Sequence, residues 1–448
     1  MPILWKKPFC LRDSVANFHT IIPVYLSFLS NETKINLNID GMRLSTSASF
    51  NYPEFLHELD FIGLQMTVYR WWLSEEIFKL VVDKSKKFDR FTIDLKDNSR
   101  WLPNDFDHYL TVLFSSSGMI EWLTKLKVLK LTGPFPKSTF LKDILNVNRN
   151  LSILTIEDWK NEALNYDLSD FIKTQHNLKE FNFISNPDDV SPVLAALTGQ
   201  SNSLRKLQIT NGEIVDSLNI GTLSRCSQLE SICFKSLHLS RAQLKVFSQA
   251  SFPKLNSLYL MDIDHAWTVK GSKKIKDKTM QNIIRAYGPR LENLGLRFNL
   301  EVFPGVLEAV AKYCKNLKTF MIRIEKTQEI PNLFSILKSC QKLESLMIDE
   351  IHCTDPFEAN DFMFEMAGLI PSSLVHLDLT KWVISIEILM GFLMSCNARL
   401  RTLECHCHGS SIGKEDMIRK FARENGREVR KIVINNYFTI SKVCAEWN

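Results

Sequence analysis

Four stretches of the chain hold residue types that can do chemistry. Cys405-His406-Cys407-His408 offers four zinc-ligand types in a row. Zinc needs its four donors to converge tetrahedrally. A strand through this stretch sends Cys405 and Cys407 to one side and His406 and His408 to the other, so the four cannot surround one ion. Gly133-Pro134-Phe135-Pro136-Lys137-Ser138-Thr139 carries the Lys-Ser end of a phosphate loop. Such a loop needs a glycine directly before the lysine and free backbone amides around the phosphates. Proline precedes Lys137, and two prolines remove amides, so an ordinary turn is expected. Lys270, Lys273, Lys274, Lys276 and Lys278 form a basic run, read here as a solvated loop. The fourth feature is a set of ten cysteines, none spaced as C-x-x-C. Free thiols of a reducing compartment, cytoplasmic or nuclear, are the simplest account. No H-E-x-x-H, G-x-S-x-G or G-x-G-x-x-G occurs. The expectation is a non-enzyme with no catalytic residue, no metal site and no cofactor.

The elements that position these residues follow from an internal repeat. The pattern L-x-x-L-x-L appears as LKVLKL from Leu126, LSILTI from Leu151, LKEFNF from Leu178 and LRKLQI from Leu204. It continues as LESICF from Leu229, LNSLYL from Leu255, LENLGL from Leu291, LKTFMI from Leu317 and LESLMI from Leu343. LVHLDL from Leu374, LRTLEC from Leu400 and a looser VRKIVI from Val429 complete the series. Successive starts lie 25, 27, 26, 25, 26, 36, 26, 26, 31, 26 and 29 residues apart. Two further copies, from Leu56 and Phe88, are less regularly spaced.

The last two apolar positions of each copy are two apart, the period of a strand, so both point to one face. A lone strand of this kind cannot bury that face. Copies stacked sideways at ~4.8 Å make a parallel sheet with a shared core. Parallel strands require crossovers, and segments such as 306–314, 332–340 and 386–396 have an apolar face at helical spacing. Helices are about twice as wide as the strand spacing, so the stack is expected to curve with its sheet inside. This is an α/β leucine-rich-repeat solenoid, with a concave parallel sheet and convex helices.

Composition agrees with one packed body more than with tethered modules. Glycine (16) and proline (15) are scarce among 448 residues, which excludes collagen-like and linker-rich chains. The formal charge of +5 is mild for a nucleic-acid binder, so no nucleic-acid partner is expected. The greasiest early run, 21–29, is far shorter than the ~20 residues of a spanning helix, and no membrane association is expected. Nor does the N-terminus read as a signal peptide.

Cys226, Cys314 and Cys340 stand three residues before a repeat leucine, and Cys396 stands four before. This C-x-x-L-x-x-L-x-L phase resembles the cysteine-containing class of leucine-rich repeats, typical of F-box proteins. Asparagine at the ninth repeat position, the ladder of other classes, survives only at Asn186 and Asn299. Met1-Pro2-Ile3-Leu4-Trp5-Lys6-Lys7-Pro8-Phe9 resembles the tail of an F-box. Together these segments are similar to F-box/leucine-rich-repeat proteins of the fungal type, with the F-box truncated to its C-terminal tail. The resemblance implies a substrate-recognition subunit of an SCF-type cullin–RING ubiquitin ligase. An F-box binds a Skp-type adaptor through Leu-Pro-led helices that precede this tail, so adaptor binding is expected only where a full F-box lies upstream. The alternative is a free-standing interaction scaffold or inhibitor unconnected to ubiquitin. The expected organisation is an F-box remnant over 1–15, irregular repeats over 16–120 and regular repeats over 121–448.

Residues alternating with the core leucines project onto the concave face and are not needed for the core. They include Lys206, Lys235, Tyr259, Met261, Arg297, Met321, Arg323, Met347, Asp349 and Asp378. A strip with methionine and tyrosine anchors inside charged margins has the make-up of a protein-binding surface. A target protein on this face is the expected partner.

Overall fold

The computed structural model of the chain describes residues 22–39, 53, 56–60, 71–84, 89–94, 117–133, 144, 147–159, 162–185, 189–215, 217–263, 273–297, 304–324, 329–349, 356–407, 416, 420, 423 and 431–435. The segments 1–15 and 134–140, together with Asn186, Lys270, Asn299 and His408, lie outside the described residues. The chain divides into two compact units, Met1–Gly212 and Glu213–Asn448.

In the first unit the strands are β1 (Glu58–Asp60), β2 (Arg90–Asp94), β3 (Val128–Thr132), β4 (Ile153–Trp159), β5 (Glu180–Ser185) and β6 (Lys206–Thr210). They pair in chain order, all parallel. The second unit contains β7 (Ser231–Lys235), β8 (Ser257–Met261), β9 (Asn293–Arg297), β10 (Thr319–Arg323), β11 (Ser345–Asp349), β12 (His376–Ile384), β13 (Thr402–Cys407) and β14 (Lys431–Asn435). These too pair in chain order and in parallel. Among the described residues, each of these fourteen strands begins two residues after the first residue of its repeat. The fold is therefore the leucine-rich-repeat type expected from the period.

Register explains the regularity. Equivalent repeat positions stand opposite one another, as in Leu129↔Leu154, Phe181↔Leu207, Leu258↔Leu294 and Phe320↔Leu346. All eight of these side chains are buried. A one-residue slip would turn every one of them to the other face. Helices such as Arg241–Gln249, Pro304–Tyr313 and Ile330–Ser339 return the chain between strands. Ser240 starts the first of these with a reciprocal cap: its hydroxyl accepts the Gln243 N–H, and the Gln243 side chain accepts the Ser240 N–H. The lysine run differs from its expectation as a loop. Lys273, Lys274, Lys276 and Lys278 lie in the first turns of the helix Lys273–Tyr287, within the 36-residue interval. Its last residue packs against Phe247 and Phe252, and the Tyr287 hydroxyl is shared between the carbonyls of Phe247 (2.7 Å) and Ala250 (2.9 Å).

The helix-to-strand corners are held by different chemistry in the two units. In the second, Cys226, Cys314, Cys340 and Cys396 are buried free thiols, and Cys340 Sγ lies 3.2 Å from the Cys314 carbonyl. In the first, amides take this place. Gln175 Nε2 donates to Asn148 C=O at 2.8 Å, and its Oε1 accepts the Leu151 N–H at 3.0 Å. Gln200 repeats the device one strand on, donating to Ile172 C=O at 2.8 Å and accepting from Leu178 N–H at 3.4 Å.

Candidate functional site

The sheet face turned away from the helices in Glu213–Asn448 collects nine of the ten expected site residues. The tenth, Lys206, is exposed in the other unit and pairs with Glu180 at 3.1 Å. Two rows run across the strands. The first follows the register Cys233↔Tyr259↔Gly295↔Met321↔Met347↔Asp378↔Glu404. The second follows Lys235↔Met261↔Arg297 and then Arg323↔Asp349.

Gly295 shapes the first row. A Cβ at this position would come within 2.5 Å of Tyr259 Cδ1 and 3.2 Å of Met261 Sδ. The bare backbone of β9 thus leaves room for the Tyr259 ring and for the thioether of Met261, which is buried. Tyr259, Met321 and Met347 remain half-buried, with apolar surface facing outward. Burial, helped by neighbouring Cys233, pushes the Tyr259 phenol up to about 12, so it stays a neutral hydroxyl. Burial likewise lifts the Cys233 thiol to about 11, against the opposing pull of Lys235, and leaves it unreactive.

The second row is a charge network. Arg297 Nε lies 2.8 Å from Asp262 Oδ1 and 3.0 Å from Asp349 Oδ2. Asp262 follows β8 in a left-handed turn (φ 49°), and its N–H donates to the Arg297 carbonyl at 2.5 Å. Burial raises the Asp262 carboxyl above its ordinary value; Arg297 and Lys235 pull it down, Asp349 pushes it up, and Arg323 pulls it down. Arg297 and Asp349 are therefore part of the fold's internal bonding, unlike the expectation that these positions are dispensable to it. Asp378 is also used internally: it is 2% exposed and its Oδ1 accepts the Thr380 N–H at 2.9 Å, where β12 bulges between Leu379 and Val383.

Gly295 and Asp262 were not among the expected site residues. A glycine inside a strand signals close approach of another group, and this signal is present in LENLGL. Asp262 lies one residue past the repeat's alternating positions, so its role has no mark in the pattern. Cys405 is buried in the core at the last apolar position of its repeat. Among the described residues no group of three metal-ligating side chains converges, and no helix is long and apolar enough to cross a membrane.

No protein-family model matches the chain, and no curated protein matches it. Solved structures with similarity include an internalin of Listeria monocytogenes, 15% identical over 74% of this chain and 89% of that one, with a TM-score of 0.36. A chain of the yeast Rad7–Elc1 complex is 13% identical over 79% and 92%, with a TM-score of 0.41. The leucine-rich-repeat-containing protein LegL7 of Legionella pneumophila is 10% identical over 68% and 94%, with a TM-score of 0.35. The fold assignment rests on the chain's own strand order and register.

Proposed function

We propose that the sheet face of Glu213–Asn448 docks a target protein. One observation carries this reading: Tyr259, Met321 and Met347 stand half-buried in a single cross-strand row beside a row of charges. Adjacent methionines with open apolar surface add nothing to the core and become useful when a partner covers them. Lys235 and Arg323 form the charged margin, while Arg297 and Asp349 hold the margin's geometry. The chemistry is recognition, with no bond made or broken by this chain.

The finer reading places the target in the hands of an SCF-type ubiquitin ligase, in the cytosol or nucleus. It rests on the resemblance of residues 1–9 to the end of an F-box and on the cysteine phase of the repeats. Proximity labelling in cells tests both levels. Met321→Glu with Met347→Glu should remove a set of partners that Met394→Glu, on the exposed side of helix Ile386–Ser395, leaves in place. An unchanged partner set in the double variant contradicts docking at this face. A retained adaptor and cullin supports the ligase reading; their absence with the target retained favours the free-standing scaffold or inhibitor.

A further inference from the structure

The second position of each repeat forms a row along the N-terminal ends of the strands. In Met1–Gly212 its rungs include Lys127, Ser152, Lys179 and Arg205. Each rung's amide bonds the carbonyl of the rung before it: Ser152 to Lys127, Lys179 to Ser152 and Arg205 to Lys179, all at 2.8 Å. Arg149 and His176 lie just ahead in the same corners, joined by the His176 N–H to the Arg149 carbonyl at 3.0 Å. Lys127, Arg149, His176, Lys179 and Arg205 are all exposed. Among the described residues Lys127, Arg149 and Lys179 have no side-chain partner. The nearby carboxylates are already taken by other lysines: Glu121 by Lys125 (2.6 Å), Asp170 by Lys173 (2.8 Å) and Glu180 by Lys206 (3.1 Å). Asp89, whose carbonyl accepts the Lys127 N–H at 2.8 Å, bounds the row with an opposite charge.

The other unit supplies an internal comparison. Its equivalent rungs are Glu230, Asn256, Glu292, Lys318 and Glu344, likewise joined amide to carbonyl. There the signs are mixed, and Lys318 Nζ pairs with Glu292 Oε2 at 2.9 Å. A corner row of this fold is thus well served by mixed, self-paired charge. From Lys127 to Arg205 the row in the first unit holds three cations and a serine with no carboxylate among them, and the adjacent Lys179 and Arg205 repel without folding or solubility requiring it.

We propose that this edge docks an acidic peptide segment of a partner protein, laid across the strand ends. At ~4.8 Å per strand, Lys127 to Arg205 spans roughly 14 Å. An extended peptide places alternate side chains about 6.7 Å apart, so three carboxylates on one side cover the same distance. Nucleic acid fits less well, because its affinity is built from many phosphate contacts, and among the described residues this edge offers a few cations. The inference is independent of the docking role proposed for the other unit.

Fluorescence anisotropy of the full chain with a labelled octapeptide of glutamate and aspartate tests it. The expected result is binding that weakens as salt is raised, because exposed charges are screened. Lys127→Glu with Lys179→Glu should weaken it at least about ten-fold, and Lys127→Gln with Lys179→Gln should weaken it less. Lys312→Glu, an exposed cation on a helix of the other unit, should leave it unchanged. Thermal melting of each variant should match that of the parent chain. No binding by the parent chain overturns the proposal, as does equal loss in the Lys312 variant. Tighter, equally variant-sensitive binding of a single-stranded oligonucleotide replaces the peptide with nucleic acid.

Discussion

Arg297 reaches from β9 to Asp262 after β8 and past β10 to Asp349 on β11, tying three strands with one guanidinium. Both carboxylates are largely buried while Arg297 keeps some contact with water. Removing the cation leaves two buried like charges side by side. Arg297→Met should therefore cost about 2–4 kcal/mol in chemical unfolding, somewhat less than for a fully buried pair. Lys235→Met, nearer the edge of the network, should cost under about 1 kcal/mol. The same geometry sets a pH dependence. Burial lifts the folded-state pKa of Asp262 above its unfolded value, so the native state holds this proton more tightly. Its contribution favours folding increasingly as pH falls through the raised value toward the ordinary carboxylate range. Melting curves of the parent chain and Asp262→Asn should show the parent gaining relative stability as the solution is acidified through that window. A difference independent of pH would show that Asp262 titrates as an ordinary surface carboxylate.

At the scale of the element, alternation along a strand separates the core from the docking face. Leu346 is fully buried and its neighbour Met347 faces outward on the same strand. Leu346→Ala should cost roughly 2–5 kcal/mol by opening a cavity, whereas Met347→Ala should cost under about 1 kcal/mol. Equal losses would mean that β11 does not present the faces described. The corners give a second contrast. Gln175→Leu strands the Leu151 N–H and the Asn148 carbonyl in the interior and should cost about 2–4 kcal/mol, because each buried group loses its partner. The strands and their starts were legible in the sequence because leucines repeat at a near-constant interval and a two-residue period fixes which side is buried. The amide corners were not, since Asn148, Gln175 and Gln200 stand at the same offsets as the cysteines but are of two residue types, both common polar residues that do not stand out as a row of cysteines does. The helical placing of Lys273, Lys274, Lys276 and Lys278 was missed because charge dominates that stretch and hides the apolar face carried by Met280, Ile283, Ile284 and Tyr287.

At the scale of the molecule, repetition makes two surfaces from one rule. Side chains at equal repeat positions come side by side, so a short local pattern becomes a long row. The row of Tyr259, Met321 and Met347 was legible because it follows directly from that rule. Its shaping by Gly295 left a mark, a glycine inside a strand, whereas the tie from Asp262 to Arg297 beside it did not, because that depends on a contact between strands a full repeat apart. The central claim is that this sheet face is where a target protein sits. The most direct test replaces Met321, Met347 or Met394, one at a time, with a photo-crosslinking residue in the full chain in cells. The account predicts that positions 321 and 347 crosslink to the same protein, that Tyr259→Ala removes both crosslinks, and that position 394 yields neither. Crosslinks from position 394 with silence at 321 and 347 would contradict it.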